Sequence, residues 1–207
     1  MSASTTAKIK LPDAKSVVPV KLAHFVIKTS NYEALVKWYL EVLNARVALS
    51  APHITFMTFD DEHHRVAIVK VPRLAKHDKN TCGLDHLSFT YANIGDLLAT
   101  YQRLKRAGIL PRWSINHGMT TSFYYEDPDG NRLELQFENF PTAAEAQHYF
   151  ETDPDRKVNP LGAPFDPEKL IEQYEAGEPL ERLIKVPATD RSPMEILQEM
   201  GLGPTNV

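Results

Sequence analysis

Two stretches of this chain repeat one another at a fixed offset, and that repeat limits the folds open to it. Leu22-Ala-His-Phe-Val-Ile-Lys28 leads toward a helix-like run beginning near Asn31. Leu84-Asp-His-Leu-Ser-Phe-Thr90 leads toward another beginning near Asn93. The histidines His24 and His86 stand 62 residues apart, and so do the two asparagines (86 − 24 and 93 − 31). A duplicated unit of this kind places one imidazole at the same point of each first strand.

The pattern between and after these stretches predicts the rest of both units. In the first, residues 22–28 read as a strand, and Ser30 with Glu33 three residues on reads as a capping box. A helix follows over 31–44, with an apolar stripe at Tyr32, Leu35, Val36, Tyr39, Leu40 and Leu43. Strands are expected over 46–49, 53–59 and 64–71. In the second unit a strand over 84–91 precedes a helix over 94–107 that turns Leu97, Leu98, Tyr101 and Leu104 inward and stops at Gly108. Strands near 110–114, 120–126 and 132–138 complete it, the last two joined by the turn Asp127-Pro128-Asp129-Gly130. Each unit is therefore β-α-β-β-β. The fold expected is α+β: two tandem βαβββ modules, over 21–72 and 84–138, building one cup-shaped mixed sheet. Residues 1–20 read as an arm, and the proline-broken stretch 141–207 as an irregular, partly helical extension with helices near 167–176 and 193–200.

Alternate residues of a strand face opposite sides. On the second unit's first strand Leu87, Phe89 and Tyr91 form an apolar face, opposed by His86, Ser88 and Thr90. On its last strand Leu133, Leu135 and Phe137 oppose Arg132, Glu134 and Gln136. An ordinary two-sided sheet with a wet outer face has the same alternation. Here, however, the polar faces carry His24, His86 and Glu134 at corresponding places, and His64, Tyr124 and His117 fall in the same region. Two imidazoles and one carboxylate form the facial set that leaves positions open on iron for substrate and oxygen. Setting Arg65-Val-Ala-Ile-Val69 against Arg132-Leu-Glu-Leu-Gln136 puts Ala67 opposite Glu134, so the first unit supplies no fourth ligand. That favours oxygen activation over Lewis-acid isomerisation.

Bulk properties narrow the field further. The chain has 207 residues, 43% of them hydrophobic, enough for a full core. A formal charge of −4 gives no basic footprint for nucleic acid. No apolar run approaches the roughly 20 residues that span a bilayer, and Met1 to Thr6 lacks the order of a signal peptide. The single cysteine, Cys82, cannot form an internal disulfide, which fits a cytoplasmic setting.

At Leu22-Ala-His-Phe-Val, Glu62-His-His-Arg-Val-Ala, Leu84-Asp-His-Leu-Ser-Phe and Ser122-Phe-Tyr-Tyr-Glu-Asp-Pro-Asp-Gly-Asn-Arg-Leu-Glu-Leu-Gln, the sequence resembles the vicinal oxygen chelate superfamily. Within it the resemblance is to the type I extradiol ring-cleaving dioxygenases, and it covers about residues 20–140. It implies Fe(II), or Mn(II) in its place, on His24, His86 and Glu134. It implies an acid–base histidine at His64 and a hydrogen-bonding tyrosine at Tyr124, with His117 standing where the family has another active-site histidine. The implied partners are a small aromatic diol and O2, and a homo-oligomer is expected. Two other readings stay open: a metalloenzyme of the same scaffold (a glyoxalase-type isomerase, an epimerase or a thiol transferase), and a non-catalytic protein that binds an aromatic drug.

Overall fold

A computed structural model describes residues 11, 13, 15, 17–78 and 81–203. Pro12, Pro204 and residues 1–10, 14 and 16 of the expected arm lie outside the described residues. The first module contains β1 (Phe25–Thr29), α1 (Tyr32–Val42), β2 (Arg46–Ala51), β3 (Ile54–Thr58) and β4 (Val66–Lys70). The second contains β5 (His86–Tyr91), α2 (Ile94–Arg106), β6 (Trp113–Asn116), β7 (Thr120–Glu126) and β8 (Arg132–Glu138). The extension adds α3 (Ala143–Thr152), α4 (Pro154–Val158), β9 (Ala163–Pro164), α5 (Pro167–Glu175), α6 (Leu180–Leu183) and α7 (Pro193–Glu199).

Both modules are βαβββ units, as the repeat predicts. Hydrogen bonding nevertheless divides the strands into two sheets, ordered β1-β4-β3-β2 and β5-β8-β7-β6-β9, in place of one continuous sheet. In each, the first strand of the module runs parallel to the last. The two sheets meet through side chains at the edge strands β1 and β5. Phe25 and Phe89 bring their ring centroids to 6.1 Å, and the Thr29 hydroxyl donates to Asp129 at 2.5 Å.

The helices pack on the apolar faces of the sheets because their apolar residues recur at helical spacing. Leu35, Trp38, Tyr39 and Val42 of α1 are buried, as are Leu97, Leu98, Tyr101 and Leu104 of α2. They join Val66, Ile68, Leu133 and Leu135 in one core shared by both modules. Tyr101 stacks on Phe123 at 5.0 Å. The Asn93 side chain caps α2 by accepting from the Asp96 amide at 2.8 Å, while Arg103, Lys105 and Arg106 meet the negative end of its dipole.

The start of α1 departs from expectation. Its N-cap is Asn31, without a side-chain cap, and Ser30 takes no part. Glu33 turns away to pair with Lys70 at 2.6 Å, so the carboxylate that would complete the box is engaged by a lysine of β4. Complete capping boxes lie instead at Thr142 with Glu145 and at Ser192 with Glu195, both in the extension. The expected turn at Asp127–Gly130 does form. Gly130 adopts φ +91, a conformation natural to glycine, and Asp127 accepts from the amides of Asp129 and Asn131 at 2.9 Å. Tyr39 of the first module also donates to Asp127, at 3.1 Å, so this turn helps to fasten the modules together. Among the described residues no helix is long and apolar enough to cross a membrane.

Leu135 is fully buried between α2 and β8's neighbours. Leu135→Ala should lower stability by about 2–5 kcal/mol, the range for a buried leucine truncated to alanine. Equilibrium urea unfolding measures this, and a loss below about 1 kcal/mol would show that the core can close over the gap.

Candidate active site

Register in the second sheet sets the site. Ser88 of β5 pairs with Glu134 of β8, Glu134 with Tyr124 of β7, and Tyr124 with Trp113 of β6, one row crossing four strands on a single face. The opposite face carries Leu133, Leu135 and Phe123 into the core. Glu134 is therefore drawn into the sheet interior, 5% exposed, by the burial of its neighbours. A lone buried carboxylate is costly, and here it is well provided. The Tyr124 hydroxyl donates to its Oε1 at 2.9 Å, and His86 Nε2 lies 3.3 Å from its Oε2.

These contacts fix the charges. Burial pushes the Glu134 carboxyl up, but hydrogen bonds from His86, Ser122, Tyr124 and Ser88 outweigh it and hold the group at about 2. The bond to Glu134 raises His86 to about 9 against the opposing effect of burial, with Asp85 adding to the rise. Burial raises the Tyr124 phenol, which stays protonated and able to donate. Asp85 orients His86 from behind: its Oδ2 sits 2.8 Å from Nδ1, which turns Nε2 toward Glu134. Arg132 holds Asp85 at 2.9 Å and lies over the Trp113 ring at 4.9 Å. His117 completes this group, with Nε2 2.9 Å from the Tyr124 oxygen and Nδ1 2.5 Å from the Leu161 carbonyl.

His24 and His64 form a second group on the first module. His24 is exposed and lies just ahead of β1, and its ring centroid is 4.3 Å from that of His64. The half-buried His64 also meets Phe56 edge-on at 4.9 Å and lies within 2.6 Å, Nδ1 to Nδ1, of the neighbouring His63. Burial, then the charges of His24 and His63, lower the pKa of His64, so the ring is neutral at pH 7. His53 and His77 are exposed and belong to neither group.

The structure thus gathers His86, Glu134, Tyr124 and His117 in one place and His24 with His64 in another. Among the described residues no set of three or more His, Cys, Asp or Glu side chains is arranged to hold a metal ion. The donor chemistry of the pair does suit one. Ligands about 2.0–2.2 Å from a shared ion and at right angles to each other lie about 3 Å apart, near the 3.3 Å between His86 and Glu134. Ala67 bears on the number of ligands. Val26 is the counterpart of Ser88 by the 62-residue offset, and Val26 pairs with Ala67 just as Ser88 pairs with Glu134. The first module therefore presents a methyl group where the second presents a carboxylate.

The same register gives the first sheet a different lining. Val26, Ala67, Phe56 and Leu49 stand in one cross-strand row, with Val69, Ile54 and Ala51 beside it. Val26 and Leu49 remain 55% and 62% exposed. This apolar face adjoins the His24–His64 pair. Between β1 on one side and β5 and β8 on the other lies a cavity of about 930 Å³ whose wall includes Phe25, Thr29, Asp85, His86 and Arg132.

Four contributors were not singled out from the sequence: Asp85, Arg132, Trp113 and the Leu161 carbonyl. An acid directly before His86 was a visible signal for the first. A backbone carbonyl leaves no trace in residue type, so nothing marked Leu161.

The Glyoxalase/Bleomycin resistance protein/Dioxygenase superfamily matches residues 21–135 of the chain. Biphenyl-2,3-diol 1,2-dioxygenase 2 of Rhodococcus globerulus is 44% identical over 164 residues, covering 79% of this chain and 86% of that protein. Biphenyl-2,3-diol 1,2-dioxygenase 3 of the same organism is 43% identical over 164 residues, covering 78% and 86%. A solved glyoxylase/bleomycin resistance protein/dioxygenase domain from Frankia sp. EAN1pec is 20% identical and superposes with a TM-score of 0.49 over 59% of this chain and 99% of that one.

The His86–Glu134 pair gives the metal-free protein a defined pH window. His86, raised from 6.5 to about 9, contributes its full stabilisation below pH 6.5 and loses it as pH rises through about 9. Glu134, lowered from 4.5 to about 2, contributes fully above pH 4.5 and loses it as pH falls through about 2. The melting-temperature difference between the wild-type chain and His86→Ala should be widest between pH 4.5 and 6.5 and should narrow toward pH 9. A difference that widened over that upper range would contradict the assigned charges.

Proposed function

The chain belongs to the Glyoxalase/Bleomycin resistance protein/Dioxygenase superfamily, and on that footing we propose that it opens the ring of an aromatic 1,2-diol with O2, as an extradiol dioxygenase. The observation that carries this reading is the ionised Glu134 beside His86 on one module, matched by Ala67 on the other. Three ligands leave more of an ion open to substrate and oxygen than four do. A glyoxalase-type isomerase commonly uses a fourth protein ligand, and the alanine cannot supply one. The likeness to two biphenyl-2,3-diol 1,2-dioxygenases over most of the chain supports the same substrate class.

His24, His86 and Glu134 would hold the metal, which we assign as Fe(II), with His24 brought to the other two across the groove between the modules. Bound there, ferrous iron supplies the redox chemistry that lets O2 react with a diol. The remaining steps belong to side chains. The diol's ring lies against the apolar row of Val26, Phe56 and Leu49, which keeps water from its face. His64, neutral at pH 7, accepts a proton from a diol hydroxyl and returns it as the ring opens. Tyr124 remains a phenol and donates a hydrogen bond toward the reacting oxygens. Both atoms of O2 enter the product, and the bond broken is the carbon–carbon bond beside the diol.

An oxygen electrode tests this on the Fe(II)-reconstituted chain. Biphenyl-2,3-diol or catechol should draw one O2 per diol consumed, whereas an isomerase or a drug-binding protein consumes none. Glu134→Ala should abolish iron retention and uptake together. His64→Phe should keep its iron but turn over roughly 10²- to 10⁴-fold more slowly, the usual cost of losing an acid–base group. Uptake at the wild-type rate in His64→Phe at every pH would remove His64 from the reaction.

A further inference from the structure

The extension returns to the second sheet where it touches His117. Its strand β9 pairs with the outer edge of β6, Ala163 opposite Asn116 and Pro164 opposite Ile115. Immediately before β9, the Asn159 side chain brackets a turn. Its Oδ1 accepts from the Leu161 amide at 3.1 Å, and its Nδ2 donates to the Gly162 carbonyl at 2.7 Å. Gly162 has φ +88, and a Cβ there would fall 2.0 Å from the Asn116 carbonyl oxygen, so only glycine lets the turn lie this close to β6. That approach delivers the Leu161 carbonyl to His117 Nδ1 at 2.5 Å.

A carbonyl oxygen can only accept, so Nδ1 must carry the proton. Burial lowers the pKa of His117 and keeps the ring neutral, which leaves Nε2 bare. The Tyr124 hydroxyl has one proton and two acceptors at 2.9 Å, Glu134 Oε1 and His117 Nε2. With the opposite tautomer, Nε2–H would point at the phenol oxygen and commit the hydroxyl proton to Glu134.

We propose that the Asn159–Gly162 turn of the extension is a positioning element of the ring-cleavage site, fixing His117 as its Nδ1–H tautomer so that the bare Nε2 keeps the Tyr124 proton from being committed to Glu134 and leaves it free to turn toward the reacting oxygens. The proposal rests on the dioxygenase reading for its consequence in turnover, but not for the tautomer itself. Histidine nitrogen NMR on the 207-residue chain, metal removed, reads the protonated nitrogen directly. The wild-type ring should carry its proton on Nδ1 alone. Asn159→Ala, which loosens the turn without adding bulk, and Gly162→Ala, which pushes it off β6, should both gain Nε2–H. In the iron-loaded variants kcat for the diol should fall by about 10- to 100-fold, as for other outer partners of a site histidine, with KM unchanged. A wild-type ring protonated on Nε2 would overturn the proposal. So would variants that keep Nδ1–H, whether or not they lose activity. A wild-type chain with the expected tautomer but no diol cleavage would sink the enzymatic reading and leave the positional one standing.

Discussion

A carboxylate sunk into the middle of a sheet makes demands on everything around it. Glu134 is nearly solvent-free and ionised, a state that water would otherwise support. Its close partners come from adjacent strands: His86 on β5 and Tyr124 on β7. Both reach it only in the observed register. Sliding β8 by one residue would turn Glu134 into the leucine-rich core and bring Leu133 or Leu135 to the polar face. The apolar alternation that builds the core is therefore also what aims the acid.

Duplication supplies the frame, and divergence between the copies supplies the chemistry. The Val26–Ala67 and Ser88–Glu134 pairs occupy matching positions, yet one is apolar and the other polar. The first module consequently offers a surface suited to an aromatic ring beside two histidines, and the second offers an acid held by donors. The extension packs on the second module at this face. Ile196 and Met200 pack against Tyr124 and Ile115, and the Trp113 indole donates to the Glu199 carbonyl at 2.7 Å. It thus packs on the site's outer flank, where a bare sheet would expose Tyr124 to water.

Much of this was legible in the residues. The 62-residue offset implies twin modules, helical spacing picks out Leu97, Leu98, Tyr101 and Leu104, and aligning the halves sets Ala67 against Glu134. Local signals failed where a distant charge outbid them, as when Lys70 drew Glu33 away from the cap expected at Ser30. The strand expected from residue 64 begins at Val66, although the Arg65 backbone already bonds to Met57 and Phe25 on either side. The extension was the least readable part. It docks through the carbonyls of Leu161, Ile184 and Glu199, atoms that every residue possesses and no pattern distinguishes. The separation of His24 from His86 was equally hidden, since strand period says which way a side chain faces and not how two sheets stand to each other.

The central claim is that two imidazoles and one carboxylate from the twin modules share a single ion. Anomalous diffraction at the iron edge, on crystals of the Fe(II)-reconstituted chain, tests it most directly. The account predicts one peak about 2 Å from nitrogens of His24 and His86 and from an oxygen of Glu134. A peak bound by His86 and Glu134 while His24 stays against His64, or a peak elsewhere, would contradict it.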